Sequence, residues 1–269
     1  MREIVALPTI SGVAPKASVS QTLPIGMTYD RIHMQYSGVT PSQITNVRLE
    51  LNGRLITQYS TLQDLIEENT RFKREVKAGI ATWHFVRDDM SSALYPELIE
   101  QRFFALGTNG LNTAQIRFDI AQEATAPVIE CFAEKSAANV PGTLMKRRTF
   151  VYKLNNGRTE IDNLPRPTNA SIMAIAIKAQ GVEGVEFLVD NVKWRESVPL
   201  ELHKHIMRQN GRTPIADEFY LDFCLEGDKY NTLKLDPAIR DMRLRVDCTQ
   251  EIQAEVAVYY FDDFATSSF

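Results

Sequence analysis

The sequence predicts an all-β protein in which one antiparallel β-sandwich of jelly-roll type has been made twice by internal duplication, each copy carrying a short helix. Two observations predict it. Short stretches alternate apolar and polar residues with the period of a half-buried strand, and the clearest of them returns in the second half of the chain with its neighbours in the same order. Helical patterns, by contrast, are too few and too short to serve as crossovers, which excludes a doubly wound parallel sheet.

The reference stretch is ITNVRLELNGRLI, residues 44–56, where Val47, Leu49 and Leu51 point one way and Arg48, Glu50 and Asn52 the other, before a turn or bulge at Asn52-Gly53. Its counterpart is VEGVEFLVDNVKW, residues 182–194, in which Val185, Phe187 and Val189 stand 138 positions on and Asp190-Asn191 takes the place of the turn. Thr61-Leu62-Gln63-Asp64 reads as a capping box that opens a short helix with Leu62, Leu65 and Ile66 on one face. In the second copy Ser197 is the expected cap, with Pro199 in the first turn, Leu202 and Ile206 on the apolar face and Gly211 at the end. Both copies then return to strand: residues 81–86 match 218–225, with Phe85 and Phe223 again 138 apart. Residues 115–119 match 243–247, where Phe118 and Val246 are 128 apart.

The remaining elements follow in order. Residues 1–15 contain Pro8, Gly12 and Pro15 without period and read as an arm that orders only against the domain or a neighbour. Alternation places strands near residues 17–23 and 29–36. Residues 71–77 are basic; interleaved Glu67, Glu68 and Glu75 favour a solvated helix end over a DNA contact. A polar loop is expected at 88–95, a bulky apolar stretch at 98–106, and turn glycines at Gly107 and Gly110. The boundary falls near residues 139–143, giving an N-terminal arm with the first jelly roll over 1–141 and the second jelly roll over 142–269. Asn155-Asn156-Gly157 is a strong turn, Leu164-Pro165-Arg166-Pro167 a rigid extended lead into 172–179, and residues 251–261 a long last strand facing Ile252, Ala254, Val256, Val258 and Tyr260 inward.

Composition bounds the function. With 269 residues, 44% hydrophobic content and a net charge of -4, the chain suits two folded domains and offers no broad attraction for nucleic acid. No leader sequence and no apolar run of about eighteen residues is seen, so neither a signal peptide nor a membrane span is expected. Cys131, Cys224 and Cys248 have no zinc spacing and are expected to be reduced and inert. His33, His84, His203 and His205 form no metal or catalytic pattern, and nucleotide-binding and hydrolase motifs are absent, so no enzyme is expected. The acidic pairs Asp88-Asp89, Asp217-Glu218 and Asp262-Asp263 fit either a hydrated surface or loop calcium sites, since that ion takes carboxylate and carbonyl oxygens. Exposed tryptophans would support an alternative, a carbohydrate-binding or carbohydrate-active protein on paired jelly rolls, for which Trp83 and Trp194 are the available platforms; their matched strand contexts favour the core.

Nearly the whole chain resembles the capsid proteins of corticoviruses, tailless icosahedral bacteriophages of marine bacteria with a membrane beneath the shell. The resemblance is carried by Leu23-Pro24-Ile25-Gly26, YSGVTPSQITNVRLELNGRL at 36–55, RFFALGTNGL at 102–111, NNGRTEIDNLPRP at 155–167 and Leu225-Glu226-Gly227-Asp228. The N-terminal segment and the loop at 88–94 depart most from it. The resemblance implies a double jelly-roll, made in the bacterial cytoplasm and ending in the virion capsid. It implies homotrimeric, pseudo-hexagonal capsomers that meet neighbouring capsomers, penton and membrane-associated virion proteins and an internal lipid membrane, with no specific nucleic acid partner and with calcium as a stabilising ion.

Overall fold

The computed structural model describes residues 2–90 and 102–266. In the first unit, eight strands form two sheets: β1 (Glu3–Ala6), β2 (Ser18–Thr22), β3 (Thr28–Ser37), β4 (Ile44–Leu51), β5 (Arg54–Thr61), β6 (Ile80–His84), β8 (Ala114–Ile120) and β9 (Val128–Ser136), with a two-residue β7 (Leu106–Gly107) beside β3. One sheet runs β1-β9-β3-β6 and the other β2-β8-β4-β5. The second unit repeats the plan with β10 (Thr143–Leu154), β11 (Gly157–Ile161), β12 (Ser171–Lys178), β13 (Val182–Val189), β14 (Val192–Arg195), β15 (Glu218–Asp222), β17 (Met242–Cys248) and β18 (Ile252–Asp263); a short β16 (Leu233–Lys234) flanks β12. Its sheets run β10-β18-β12-β15 and β11-β17-β13-β14. Counted within each unit, both read first-eighth-third-sixth and second-seventh-fourth-fifth, the order of a jelly roll.

The duplication therefore holds strand for strand. β4 and β13 are each the fifth-last element of their own copy's strand series, and Val47, Leu49, Val185 and Phe187 are all essentially buried. The turns match as well: Asn52 and Gly53 have φ of 48° and 74°, Asp190 and Asn191 of 49° and 64°, so both hairpins are closed by two residues in the left-handed region. Helix α1 (Leu62–Arg71) and helix α2 (Leu200–Gln209) occupy equivalent connections. The Thr61 and Asp64 capping box is present in α1. In α2 the cap position is Pro199 and no side chain caps it, contrary to the role expected of Ser197. Ser197 instead packs against Gly184, where a Cβ would lie 2.3 Å from its hydroxyl.

The N-terminal arm orders against its own domain: β1 pairs antiparallel with β9 from Glu3↔Lys135 to Ala6↔Phe132 and is the first strand of the barrel. It showed no period because it lies at a sheet edge with almost no buried face, Ile4 being 80% exposed. Gly107 lies in a strand and not a turn; a Cβ there would come within 2.3 Å of the Val140 carbonyl, so glycine lets the link between units pass. The 98–106 stretch and the 88–95 loop lie partly outside the described residues.

The two barrels share backbone. β5 and β10 pair in parallel at Thr57↔Arg147, which fuses one sheet from each unit into a nine-stranded sheet crossing the molecule. Each barrel encloses its own apolar core, while a third cluster containing Phe72, Phe104, Met173, Tyr220, Tyr259 and Phe261 lies between them.

Candidate functional site: the seam between the barrels

The seam forms because β12, β15 and β18 are buried on both faces. Ile175, Val256 and Val258 point into the second barrel, while Ala174, Ala257 and Tyr259 on the opposite face meet the first unit. Strands covered on both sides read as continuous apolar runs, and SIMAIAIK in β12 is such a run. From the other side the end of α1 and the segment after β6 bring Arg71, Phe72, Arg74 and Arg87 against this face.

The basic stretch read as a solvated helix end is solvated at Lys73 and at residues 75–77, but its Arg71 and Arg74 enter a buried ionic network. The Arg71 Nη2 donates to both Glu218 carboxylate oxygens at 2.6 Å, and its guanidinium lies 4.2 Å over the Tyr220 ring. Burial works against its charge, but Glu218 and the Tyr259 and Tyr220 phenols outweigh it and hold its pKa well above the ordinary value. Arg87 donates to Asp89 from Nε at 2.8 Å and Nη2 at 2.7 Å, and its Nη1 donates to the thioethers of Met173 at 3.0 Å and Met145 at 3.2 Å. Arg212 meets Asp222 at 2.9 Å and Asp89 at 3.1 Å. Arg74, Arg87 and Arg212 all lie within 4.5 to 4.9 Å of the Phe72 ring centre, where the face of the ring is the negative end of its quadrupole. Arg147 stacks 4.5 Å over Tyr59 and donates to the Tyr259 hydroxyl and the Gln58 carbonyl. At the rim Lys178 of the second barrel joins Asp64 at 2.8 Å and Glu67 at 2.9 Å on α1.

Each acidic pair singled out in the sequence is split by the fold. Asp89, Glu218 and Asp262 are drawn inward and neutralised by Arg87 with Arg212, by Arg71 and by Lys146 respectively. Burial would raise the Asp89 pKa, yet Arg87, Arg212 and Arg74 hold it well below the ordinary carboxylate range. Of the outer members, Asp88 pairs with Arg31, Asp217 is exposed beside Gln180, and Asp263 accepts the amides of Ala265 and Thr266. Three of these six carboxylates are thus already matched by buried cations, and among the described residues no three His, Cys, Asp or Glu groups gather to hold a metal.

The other candidates are structural. All three cysteines are free and buried, and burial pushes the Cys131 and Cys224 thiols up to about 12. His33 bonds Thr82 and Glu134, while His203 stacks on Phe219 at 4.0 Å and donates to the Tyr220 carbonyl; His205 projects from another face of α2. Trp83 is buried in the first core, but Trp194 is 47% exposed on the edge strand β14. Glu50 lies on the outward face of β4, as expected, and Glu186 on the outward face of β13. Glu186 is nonetheless covered, because Arg158, Lys193 and Arg245 close over it. The seam arginines escaped the sequence reading; the available signal was the interleaving of Arg71, Phe72 and Arg74 and the two-sided apolar run of β12.

The viral coat protein P2 N-terminal domain matches residues 4–136, and the viral coat protein P2 C-terminal domain matches residues 144–264. The chain is 47% identical over 269 residues to the major capsid protein P2 of Pseudoalteromonas phage PM2, covering all of both chains. The crystal structure of that protein superposes with a TM-score of 0.98, again over the whole of both chains. The capsid protein of a Sulfolobus turreted icosahedral virus, 8% identical, shares the fold with a TM-score of 0.70 over 98% of this chain and 96% of its own.

Proposed function

This chain belongs to the viral coat protein P2 family and is a structural capsid protein of an icosahedral phage shell, not an enzyme, and from that premise we propose that three copies close into a trimeric capsomer of pseudo-hexagonal outline. The observation that carries the reading is the pair of equivalent barrels held as one block by the seam and the shared sheet. Three such blocks around a threefold axis present six similar walls, and a contact between unlike faces that closes on itself makes a ring. In this reading the units divide at 141/142, the capsomers tile the shell beside penton and membrane-associated proteins, and a lipid membrane lies inside. Calcium belongs to it only as an ion held between copies, where carboxylates of different chains meet.

Light scattering on the purified protein tests this. A mass three times 30.5 kDa is expected. A monomer that persists with and without calcium overturns the trimer. A trimer unchanged by a chelator removes the ion from the contacts that close it.

A further inference from the structure

A narrow pocket with about 20 Å³ of free space lies where the first barrel meets the seam, lined among others by Thr57, Glu68, Trp83, His84 and Arg87. Two of these residues carry buried polar groups with no partner, the Thr57 hydroxyl and the Trp83 indole N–H, and both residues are at most 4% exposed. A buried donor left without an acceptor is costly, and two such groups around one void are not an accident of packing between apolar surfaces. The volume decides the occupant. One water needs roughly 10–15 Å³ of such space and two to four polar neighbours, so this cavity holds one and not two.

We infer that the cavity is a binding site for a single structural water, which accepts from Trp83 Nε1, bonds the Thr57 hydroxyl and donates to the Glu68 carboxylate. Glu68 is 2% exposed, and the Tyr59 hydroxyl donates to its Oε2 at 3.2 Å. The same Tyr59 ring lies under Arg147. The water thereby ties the indole at the centre of the first barrel to the carboxylate that faces the ionic network. No polar pair of this kind sits in the second barrel at the place of Trp83, where the equivalent residue is Leu221.

A map of the assembled protein at a resolution that shows ordered water, together with the thermal midpoint of Thr57→Val, tests the assignment. A peak within hydrogen-bond distance of all three groups, with a Thr57→Val midpoint no higher than the parent's and a weaker peak in the variant, supports it. If the cavity is dry, valine removes an unpartnered hydroxyl and the midpoint rises. An empty cavity in the parent map, or that rise, overturns the inference. The map alone decides should the variant fail to fold.

Discussion

Helices α1 and α2 occupy the same connection in the two copies and are equally long and equally amphipathic, yet they are held in different ways. α1 buries Leu62, Asp64, Leu65, Glu68, Asn69 and Arg71, whereas α2 buries only Met207 and leaves Leu202 47% exposed. Beneath α2, against β15, a cleft of about 240 Å³ remains, lined by Trp194, His203, Ile206 and Phe219. The difference is that α1 is pressed from two sides. Its apolar face meets its own barrel, and along its length Asp64, Glu67 and Arg71 clamp it to the second. Amphipathicity states that a helix has an apolar side; it does not state how much of the molecule will close on it.

The sharpest way to break the contrast is to remove the clamp. Glu218→Ala leaves Arg71 charged and unpaired in the seam and is expected to cost roughly 3–5 kcal/mol in urea unfolding. A loss near zero would mean that the ion pair does not hold the barrels together. Next in size, Leu65→Ala in the first core should cost roughly 3 kcal/mol through lost transfer energy and a new cavity. Met207→Ala, beside a cleft already open, should cost roughly half as much, and equal losses would erase the distinction between the helices.

Acid sharpens the contrast further, with a smaller effect. His84 on β6 and Asp222 on β15 stand 138 positions apart, the same offset as the two β-hairpins. Burial first, then Arg74, Arg31 and His33, push the His84 imidazole from 6.5 down to about 2. Its folded pKa is below the unfolded one, so the unfolded chain binds a proton that the folded chain does not. Stability therefore falls as pH drops below 6.5 and continues to fall towards the folded value. His84→Gln should flatten the loss in thermal midpoint between about pH 7 and 5. An unchanged slope in the variant would assign the acid response to other groups.

The barrels were legible in the sequence because each half-buried strand repeats with period two and the copies kept register. Val47 with Val185 and Phe118 with Val246 fell on matching inward positions. The seam was not legible for the opposite reason. A face buried by a partner barrel breaks the polar half of the alternation, so Ala257, Tyr259 and Phe261 read as an ordinary dense strand. Charges there were misread because sequence reports ionisable groups and not their distance from water. Arg71 and Arg87 are among the largest fully buried side chains in the molecule. The members of each acidic pair part for local reasons: Asp262 and Asp263 are consecutive strand residues and point to opposite sides, Asp217 lies in the turn before the strand that holds Glu218, and Asp88-Asp89 lies in a turn.

The parallel pairing of β5 with β10 makes the two halves mechanically one plate. In a shell wall, a subunit hinged at its middle would open there under tension in the plane of the wall. Here that line is crossed by main-chain pairing at Thr57 and Arg147, with the Arg71 and Lys178 clamps alongside. Tension in the plane of the sheet is thereby carried through the middle of each subunit by backbone as well as by side-chain packing.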